Sequence, residues 1–317
     1  MRWRVTYHAL TAAVLLAGCG RRGDVDRHAV VVTPAGAALV LGDTIRFEAA
    51  RQRADGSRAS VAVTYSATGG TINDGVYVAG QVPGRYWVAA MAGDGVADTV
   101  MVIVTPPTAR NHTTSFSLAE NPISEGGSWI NGGSAGGDWT DVSTADGLAI
   151  GHQVGAPYTD ATAILTGAWG ADQMATARAD VTRPRDECFQ EVELRLRSTI
   201  APRRNTGYEV TYKVSQSEGA YVAIVRWNGR LGDFTYLVRA SGERYALRAG
   251  DVVTATIVGN VITTFRNGVQ IARATDSVFA SGSPGMGFNL ENRPPGCAGT
   301  NDDYGFTSFM ATDYVPR

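Results

Sequence analysis

Along most of this chain, apolar and polar residues alternate in short runs. Between His28 and Pro106 the runs are Val30–Thr33, Thr44–Ala49, Val61–Ser66, Val76–Val78, Arg85–Ala90 and Thr99–Val104. A period of two is the mark of a half-buried strand. In the second run it sets Ile45 and Phe47 on one face and Arg46 and Glu48 on the other. Turn-forming clusters separate the runs: Leu41-Gly42-Asp43, Ala54–Ser57, Gly69-Gly70 and Val82-Pro83-Gly84. Six or seven short strands at this spacing predict a small β-sandwich.

Thr105-Pro106-Pro107-Thr108 ends that segment, because consecutive prolines cannot continue a sheet ladder. Residues 107–114 read as a linker, and residues 115–317 as a second, larger domain. Its clearest predicted strands are Phe189–Leu196, Tyr208–Val214, Tyr221–Trp227, Phe234–Arg239, Val252–Val258, Val261–Phe265, Val269–Ala274 and Tyr304–Ala311. Asn267-Gly268 is a two-residue hairpin signal, and Gly259-Asn260 and Asn228-Gly229 read as further tight turns. After the N-terminal segment no helical period of useful length appears, so the expected class is all-β.

The first residues follow a different pattern. Arg2 and Arg4 precede an apolar stretch from Val5 to Ala17, which is too short for a permanent membrane span. It ends in Leu16-Ala17-Gly18-Cys19. This resembles the bacterial lipobox, and the resemblance implies a signal segment at 1–19, a lipid-modified Cys19 and a polar tether at 20–27. The alternative is an ordinary secretory signal with an incidental cysteine. The lipobox reading makes the chain an exported lipoprotein of the cell envelope, held at a membrane by its acyl chains. Gly20 after the cysteine favours the outer membrane in a Gram-negative host.

Composition narrows the picture further. The net charge is -2 over 317 residues with no basic run, which gives no reason to expect a nucleic-acid partner. Lys213 is the sole lysine. Of the three cysteines, lipidation of Cys19 leaves Cys188 and Cys297 either as a disulfide or as two free thiols. Paired, they would close a loop whose chain-entropy stabilisation is about 4–5 kcal/mol.

Two resemblances follow from longer runs. Gly42–Phe47, Val63–Gly70 and Pro83–Ala90 together resemble a bacterial immunoglobulin-like (Big-type) domain over residues 28–106, with Tyr65 where that family commonly has Trp. Such domains serve as spacers or adhesion modules, so this one is expected to be a stalk. Gly207–Val210, Ile224–Gly229, the Asn267-Gly268 hairpin and Gly282–Phe288 resemble a concanavalin A-like jelly roll of the laminin-G/lectin type. In that family the glycine-rich turn leads into a strand near the centre of its sheet. The expected architecture is an N-terminal immunoglobulin-like sandwich followed by a larger jelly-roll sandwich.

Chemistry is harder to place. Laminarinase-type jelly rolls carry Glu-x-Asp-x-x-Glu, which sets two carboxylates on one face for retaining hydrolysis. The nearest approach here is Asp186, Glu187, Glu191 and Glu193. Glu191 and Glu193 share a face with Arg195 and Arg197, opposite Val192, Leu194 and Leu196, which reads as a solvated, charge-paired outer face. The Gln-x-His strand of alginate-lyase-type folds is absent, since His152-Gln153 has the wrong order. No nucleophile–base pair stands out, and no catalytic residue is assigned.

Sugar binding requires exposed aromatic faces with polar groups beside them. The candidates are Trp129, Trp139, Trp169, Tyr158, Trp227 and Tyr236, with Arg226, Asn228 and Asp233 nearby. Trp139 and Trp169 lie in glycine-rich stretches and are expected to be exposed. Asn301-Asp302-Asp303 is a candidate calcium loop, with Asp302 and Asp303 as ligands, or a plain turn. The reading that emerges is a surface-anchored, non-catalytic glycan-binding protein. A diverged glycoside hydrolase or polysaccharide lyase, and a structural envelope protein, are the alternatives.

Overall fold

The structure, a computed structural model, describes residues 29–315 apart from 54–56, 154–156 and 292–296. The signal segment, Cys19 and the tether lie outside the described residues.

Residues 29–105 form a small lobe of three sheets. A four-stranded sheet orders Gly36–Val40, Ala97–Thr105, Gly84–Ala92 and Val63–Ala67, with the first two strands parallel. Ala29–Thr33 pairs with Glu48–Gln52 and then Arg58–Ser60, and a third sheet joins Thr44–Arg46, Val76–Ala79 and Gly70–Asn73. The run Thr44–Ala49, expected as one strand, is instead split between two sheets. At the break, the Phe47 N–H donates to the Gly75 carbonyl (2.7 Å) while its ring is buried in the lobe core. Gly36–Val40 escaped the pattern because it is buried along most of its length and so shows no alternation. Tyr65, half-buried, satisfies its hydroxyl on the Phe47 carbonyl at 3.1 Å.

The larger lobe is a sandwich of two sheets. The eight-stranded one runs Val142–Ala145, Leu148–Gly151, Tyr304–Thr312, Gln173–Val181, Val252–Val258, Val261–Arg266 and Val269–Thr275, with Asn111–Thr114 added against Tyr304–Thr312. The seven-stranded one runs Trp129–Asn131, Ala161–Leu165, Ser283–Glu291, Phe189–Ala201, Arg204–Lys213, Tyr221–Gly229 and Phe234–Ser241. Between them lies one apolar core, built from one face of each, including Val192, Leu194, Leu196, Met286, Phe288 and Phe309. This is a jelly-roll-type all-β sandwich.

Three local expectations change. Part of the 107–114 segment is a strand of the large lobe. Asn228-Gly229 ends a strand rather than turning the chain, and the turn follows it, with Asn228 N–H donating to the Asp233 carbonyl. The run Gly282–Phe288 is mostly strand itself, lying next to the central Phe189–Ala201 strand. Asn267 and Gly268 do turn the hairpin, with φ of 50° and 76°.

The small lobe packs on the outward face of the eight-stranded sheet. Ala38 and Ile103 meet Met174 and Met310 in a buried cluster. Beside it the Arg178 guanidinium pairs with Asp98 at 2.8 Å and donates to the Val32 carbonyl at 3.4 Å. Among the described residues, no helix is long and apolar enough to cross a membrane.

Candidate functional site

The site grows from the central strand of the seven-stranded sheet. Strand alternation sends Val192, Leu194 and Leu196 into the core and Glu191, Glu193 and Arg195 to the opposite face. The neighbouring strand Arg204–Lys213 adds Glu209 and Thr211 to that face, opposite Arg195 and Glu193 in register. Asp160, just before Ala161–Leu165, closes in from the other side.

This face is charge-paired but not solvated, contrary to the sequence expectation. Glu193 and Arg195 are 0 % exposed. The reason is cover: Trp227 and Val225 form a small apolar cluster with Phe234, Leu231 and Trp139 on this side of the sheet. Beneath it, the Arg195 guanidinium reaches Glu193 at 2.5 Å, Glu209 at 2.8 Å and Asp160 at 3.4 Å, and donates to the Thr162 hydroxyl at 3.2 Å. The guanidinium also lies 5.8 Å from the Trp227 ring centroid. Gly287 makes room for this layer, since a Cβ there would come within 2.3 Å of Glu193 Oε2.

One oxygen each from Asp160, Glu193 and Glu209 falls within 4.8 Å of the others, a spacing that a metal ion could use. Arg195 bonds to all three, so a guanidinium already supplies the positive charge at that point. The donor set fits an internal ion-pair network rather than a metal centre.

Above the network is a pocket of about 260 Å³. Its polar walls are Asp160, Glu191, Glu209, Glu291, Asn289 and Arg239, and its apolar walls include Trp227, Tyr221, Tyr236, Phe234, Phe189 and Tyr158. Glu191 accepts from the Tyr221 hydroxyl and from the Asn289 amide. Asn289 is oriented in turn by Gln153, whose amide nitrogen donates to Asn289 Oδ1 at 3.2 Å and whose oxygen accepts from the Leu290 N–H. Glu209 accepts from the Thr211 hydroxyl and from Trp227 Nε1, the latter at 2.5 Å.

Burial dominates the acidities. Desolvation, reinforced by Asp160, Glu209 and Glu291, pushes Glu191 up to about 8 despite the Asn289 hydrogen bond. Desolvation and the neighbouring Glu209 raise Asp160 to about 7, against the pull of Arg195. Glu193 is driven well above its ordinary value by burial and then by Glu209, and its Oε1 has no partner. The pocket wall therefore carries protonated carboxyls near neutrality.

The residues singled out from sequence scatter. Trp227, Tyr158 and Tyr236 line the pocket. Trp139 does not, and its expected exposure is corrected: it is buried, 6.0 Å from the Trp227 ring in edge contact. The glycines that suggested an open loop instead let the backbone close over the indole, for a Cβ on Gly132 would sit 2.9 Å from Trp139 Cβ. Trp169 is half-buried elsewhere, with Arg110 over its ring at 5.3 Å and Nε1 donating to the Thr166 carbonyl. Trp129 is buried in the core, its Nε1 donating to Glu125.

Arg226 and Asn228 sit one position out of phase with Trp227, so they lie off the pocket. Arg226 pairs with Asp276 at 2.5 Å, and Asn228 bonds Asp233 and Thr235 to hold the hairpin. Asp303 is buried among donors: Arg183 at 3.2 Å, Arg185 at 3.6 Å, the Gln190 amide and the Thr300 N–H. Two arginines thus lie beside Asp303, whose Oδ1 has no hydrogen-bond partner, and Asp302 lines a different surface recess. Cys188 and Cys297 are bonded, with Cα atoms 5.2 Å apart. The Cys188 sulfur lies beside the Gln190 and Leu290 side chains, on the core side of the sheet rather than in the pocket.

Sequence reasoning missed Asp160, Tyr221, Glu209, Phe234, Arg239 and Glu291, and set Glu191 aside. A signal for part of this was present. Glu191, Glu193 and Arg195, and then Glu209, Thr211 and Lys213, are two successive polar stripes that a hairpin would lay side by side.

No protein-family model matches the sequence, and no curated protein does. Among solved structures, the chain is similar to the carbohydrate-binding module CBM66 from Bacillus subtilis, at 12% identity over 62% of this chain and 98% of that one, with a TM-score of 0.39. It is also similar to the κ-carrageenase from Pseudoalteromonas carrageenovora at 10% identity, 67% and 96% coverage and a TM-score of 0.37. A β-porphyranase from the human gut bacterium Bacteroides plebeius matches at 10%, over 67% and 94%, with a TM-score of 0.35. Likeness at this level carries nothing about the ligand of this chain.

Proposed function

We propose that this chain is a non-catalytic glycan-binding protein, and that its ligand occupies the pocket on the outer face of the seven-stranded sheet. The observation that carries the reading is the joining of Trp227, Tyr221 and Tyr236 with Asp160, Glu191 and Asn289 in one recess. Ring faces suit the apolar faces of a pyranose, and the carboxyl and amide groups suit its hydroxyls. Retaining hydrolysis would need a second free carboxylate beside Glu191. Of the acids around Glu191, Glu193, Glu209 and Asp160 are all tied to Arg195, which supports binding over catalysis.

The proposal includes the address. Cys19, following Leu16-Ala17-Gly18, is read as the lipid attachment point that holds the protein at the cell envelope, at the outer membrane in a Gram-negative host. Cys19→Ser should then release the protein from the membrane fraction and abolish labelling by a palmitate analogue; unchanged membrane labelling would remove this part of the reading.

A glycan array probed with the full chain, beside Trp227→Ala, tests the binding reading. Binding to a defined set of glycans, lost in the variant, is expected. Absence of binding to every glycan leaves the structural-envelope alternative standing. One observation favours a hydrolase as second reading: Glu191, near 8, holds a proton at neutral pH, as a general acid must. Release of reducing ends from any array hit, abolished by Glu191→Gln, would establish it.

A further inference from the structure

The outward face of the small lobe's four-stranded sheet is only half covered. Its Ala38 and Ile103 end is seated on Met174 and Met310 of the large lobe, and the rest overhangs the eight-stranded sheet. Alternation along Gly84–Ala92 sends Tyr86, Val88 and Ala90 into the small core and leaves Arg85, Trp87 and Met91 exposed on the overhanging face. The Trp87 side belongs to a residue 45 % exposed, and among the described residues no other ring and no cation packs on its indole.

Under the overhang runs a groove of about 370 Å³. Arg85, Trp87, Thr99 and Met101 form its wall. Its floor is a row of the eight-stranded sheet in register, with Thr176 opposite Thr254 and Thr254 opposite Phe265. Two features decide what such a groove can hold. The first is that every strand lining it is interior to its sheet: Gly84–Ala92 and Ala97–Thr105 in the wall, and Gln173–Val181, Val252–Val258 and Val261–Arg266 in the floor, are paired on both sides. An extended peptide would therefore find no sheet edge to join. An open indole face beside threonine hydroxyls suits a sugar ring instead.

The second feature is charge. The ionised groups lining the groove are Arg85, Arg178 and Asp98. Asp98 holds the Arg178 guanidinium at 2.8 Å and accepts from the Val32 and Thr99 N–H groups, so that pair is closed on itself. Arg85 has no hydrogen bond or ion pair among the described residues. It stands two residues from Trp87 on the same strand face, about 7 Å along the strand. A ring laid on the indole thus has one uncompensated guanidinium beside it. A carboxylate or sulfate on that ring, or on the next, would offer the guanidinium fork two oxygens.

We infer that the seam between the lobes is a second binding site, separate from the pocket, for an acid-bearing sugar chain. Trp87 carries a ring, the threonines of wall and floor meet its hydroxyls, and Arg85 takes the acid. The small lobe is then part of a recognition surface and not a spacer alone. Because the groove and the pocket open on the outer faces of opposite sheets, one molecule could hold two glycan chains at once.

Isothermal titration of the full chain at low salt and neutral pH tests this, since an exposed arginine is screened at high salt. The probes are tetragalacturonate beside its methyl ester, a sulfated galactose tetramer beside the unsulfated one, and tetraglutamate. At least one acidic sugar is expected to bind at least about tenfold more tightly than its uncharged counterpart, and which one binds identifies the acid. Arg85→Gln should narrow that preference to below about threefold while leaving the uncharged sugar's affinity as it was. Trp87→Ala should weaken the acidic and uncharged sugars alike by at least about fivefold. Both side chains are exposed, and an unchanged circular dichroism spectrum checks that the variants fold. Trp227→Ala, in the pocket, should alter none of these affinities. Equal affinity for charged and uncharged sugars overturns the inference, as does tetraglutamate binding as tightly as the acidic sugar. Binding lost in Trp227→Ala and kept in Trp87→Ala also overturns it, while leaving the glycan reading of the pocket standing. If neither acidic sugar binds, the seam site falls whatever the array shows for the pocket.

Discussion

The two faces of the Phe189–Ala201 strand are buried to the same degree by opposite means. Leu194 and Val192 face the core and are packed among other apolar side chains. Glu193 and Arg195, on the reverse face, are as inaccessible as Leu194, but their neighbours are Asp160, Glu209 and Thr162. Apolar burial is favourable in itself, whereas charge burial is tolerated only while every ion keeps its partner. One face is therefore robust to small changes of chemistry and sensitive to volume. The other is tolerant of volume at its pocket side and intolerant of an unpaired charge.

Removing the single cation is the most severe way to break this comparison. Arg195→Met should cost about 3–5 kcal/mol in urea unfolding, because it strands three buried carboxyls at once. A loss below about 1 kcal/mol would show that the network is not the support of that face. On the apolar side, Leu194→Ala is expected to cost about 3 kcal/mol through lost burial and a residual cavity, with little change in pH dependence. Gly287→Ala addresses the space that the charged layer needs. Its Cβ would press on Glu193 Oε2 and the Ala161 carbonyl, and a cost of about 1–3 kcal/mol is expected by the same denaturation measurement.

The smallest effect is also the most diagnostic. Glu191 and Asp160 have folded-state values of about 8 and about 7, against ordinary values of 4.5 and 3.8. A carboxyl raised on folding binds its proton more tightly in the native state, so its contribution is complete below the unfolded value and is lost as pH rises through the folded one. Stability should therefore fall between about pH 5 and pH 8, by at least about 1 kcal/mol. Glu191→Gln should flatten that slope, while Leu194→Ala should leave it unchanged. A stability that rises over this window would contradict the assignment.

Much of the fold could be read from the sequence, for a physical reason. Strands with one wet face alternate, and Val252–Val258 was bounded from its pattern to the residue. Gly36–Val40 and Ala161–Leu165, covered on both faces, carry no such contrast and went unread, as did Gln173–Val181, whose core-facing residues are mostly alanine. The candidate site suffered more. Alternation correctly assigned Glu191, Glu193 and Arg195 to one side, but it reports only which side a residue faces, never what lies over that side. The cover comes from Trp227, Phe234 and Trp139, which join it through sheet pairing and loop packing across more than thirty residues of sequence. Arg226, Asn228 and Asp233 were chosen for adjacency to Trp227, although neighbours in a strand point opposite ways. The Asn267-Gly268 turn was legible because it rests on local chemistry, whereas the pairing of Cys188 with Cys297, 109 residues apart, was one of two readings left once Cys19 was set aside.

The seam between the lobes sets a load path. The chain enters the described structure at Ala29–Thr33, where the Val32 N–H donates to Asp98 at 2.8 Å and Arg178 clasps both Val32 and Asp98. A pull on the N-terminus is thus delivered, within a few residues, to the eight-stranded sheet. The pocket lies on the other sheet, on its far side, beyond the whole thickness of the apolar core. A strain applied at Ala29–Thr33 would therefore be spread across the core before it reached the pocket.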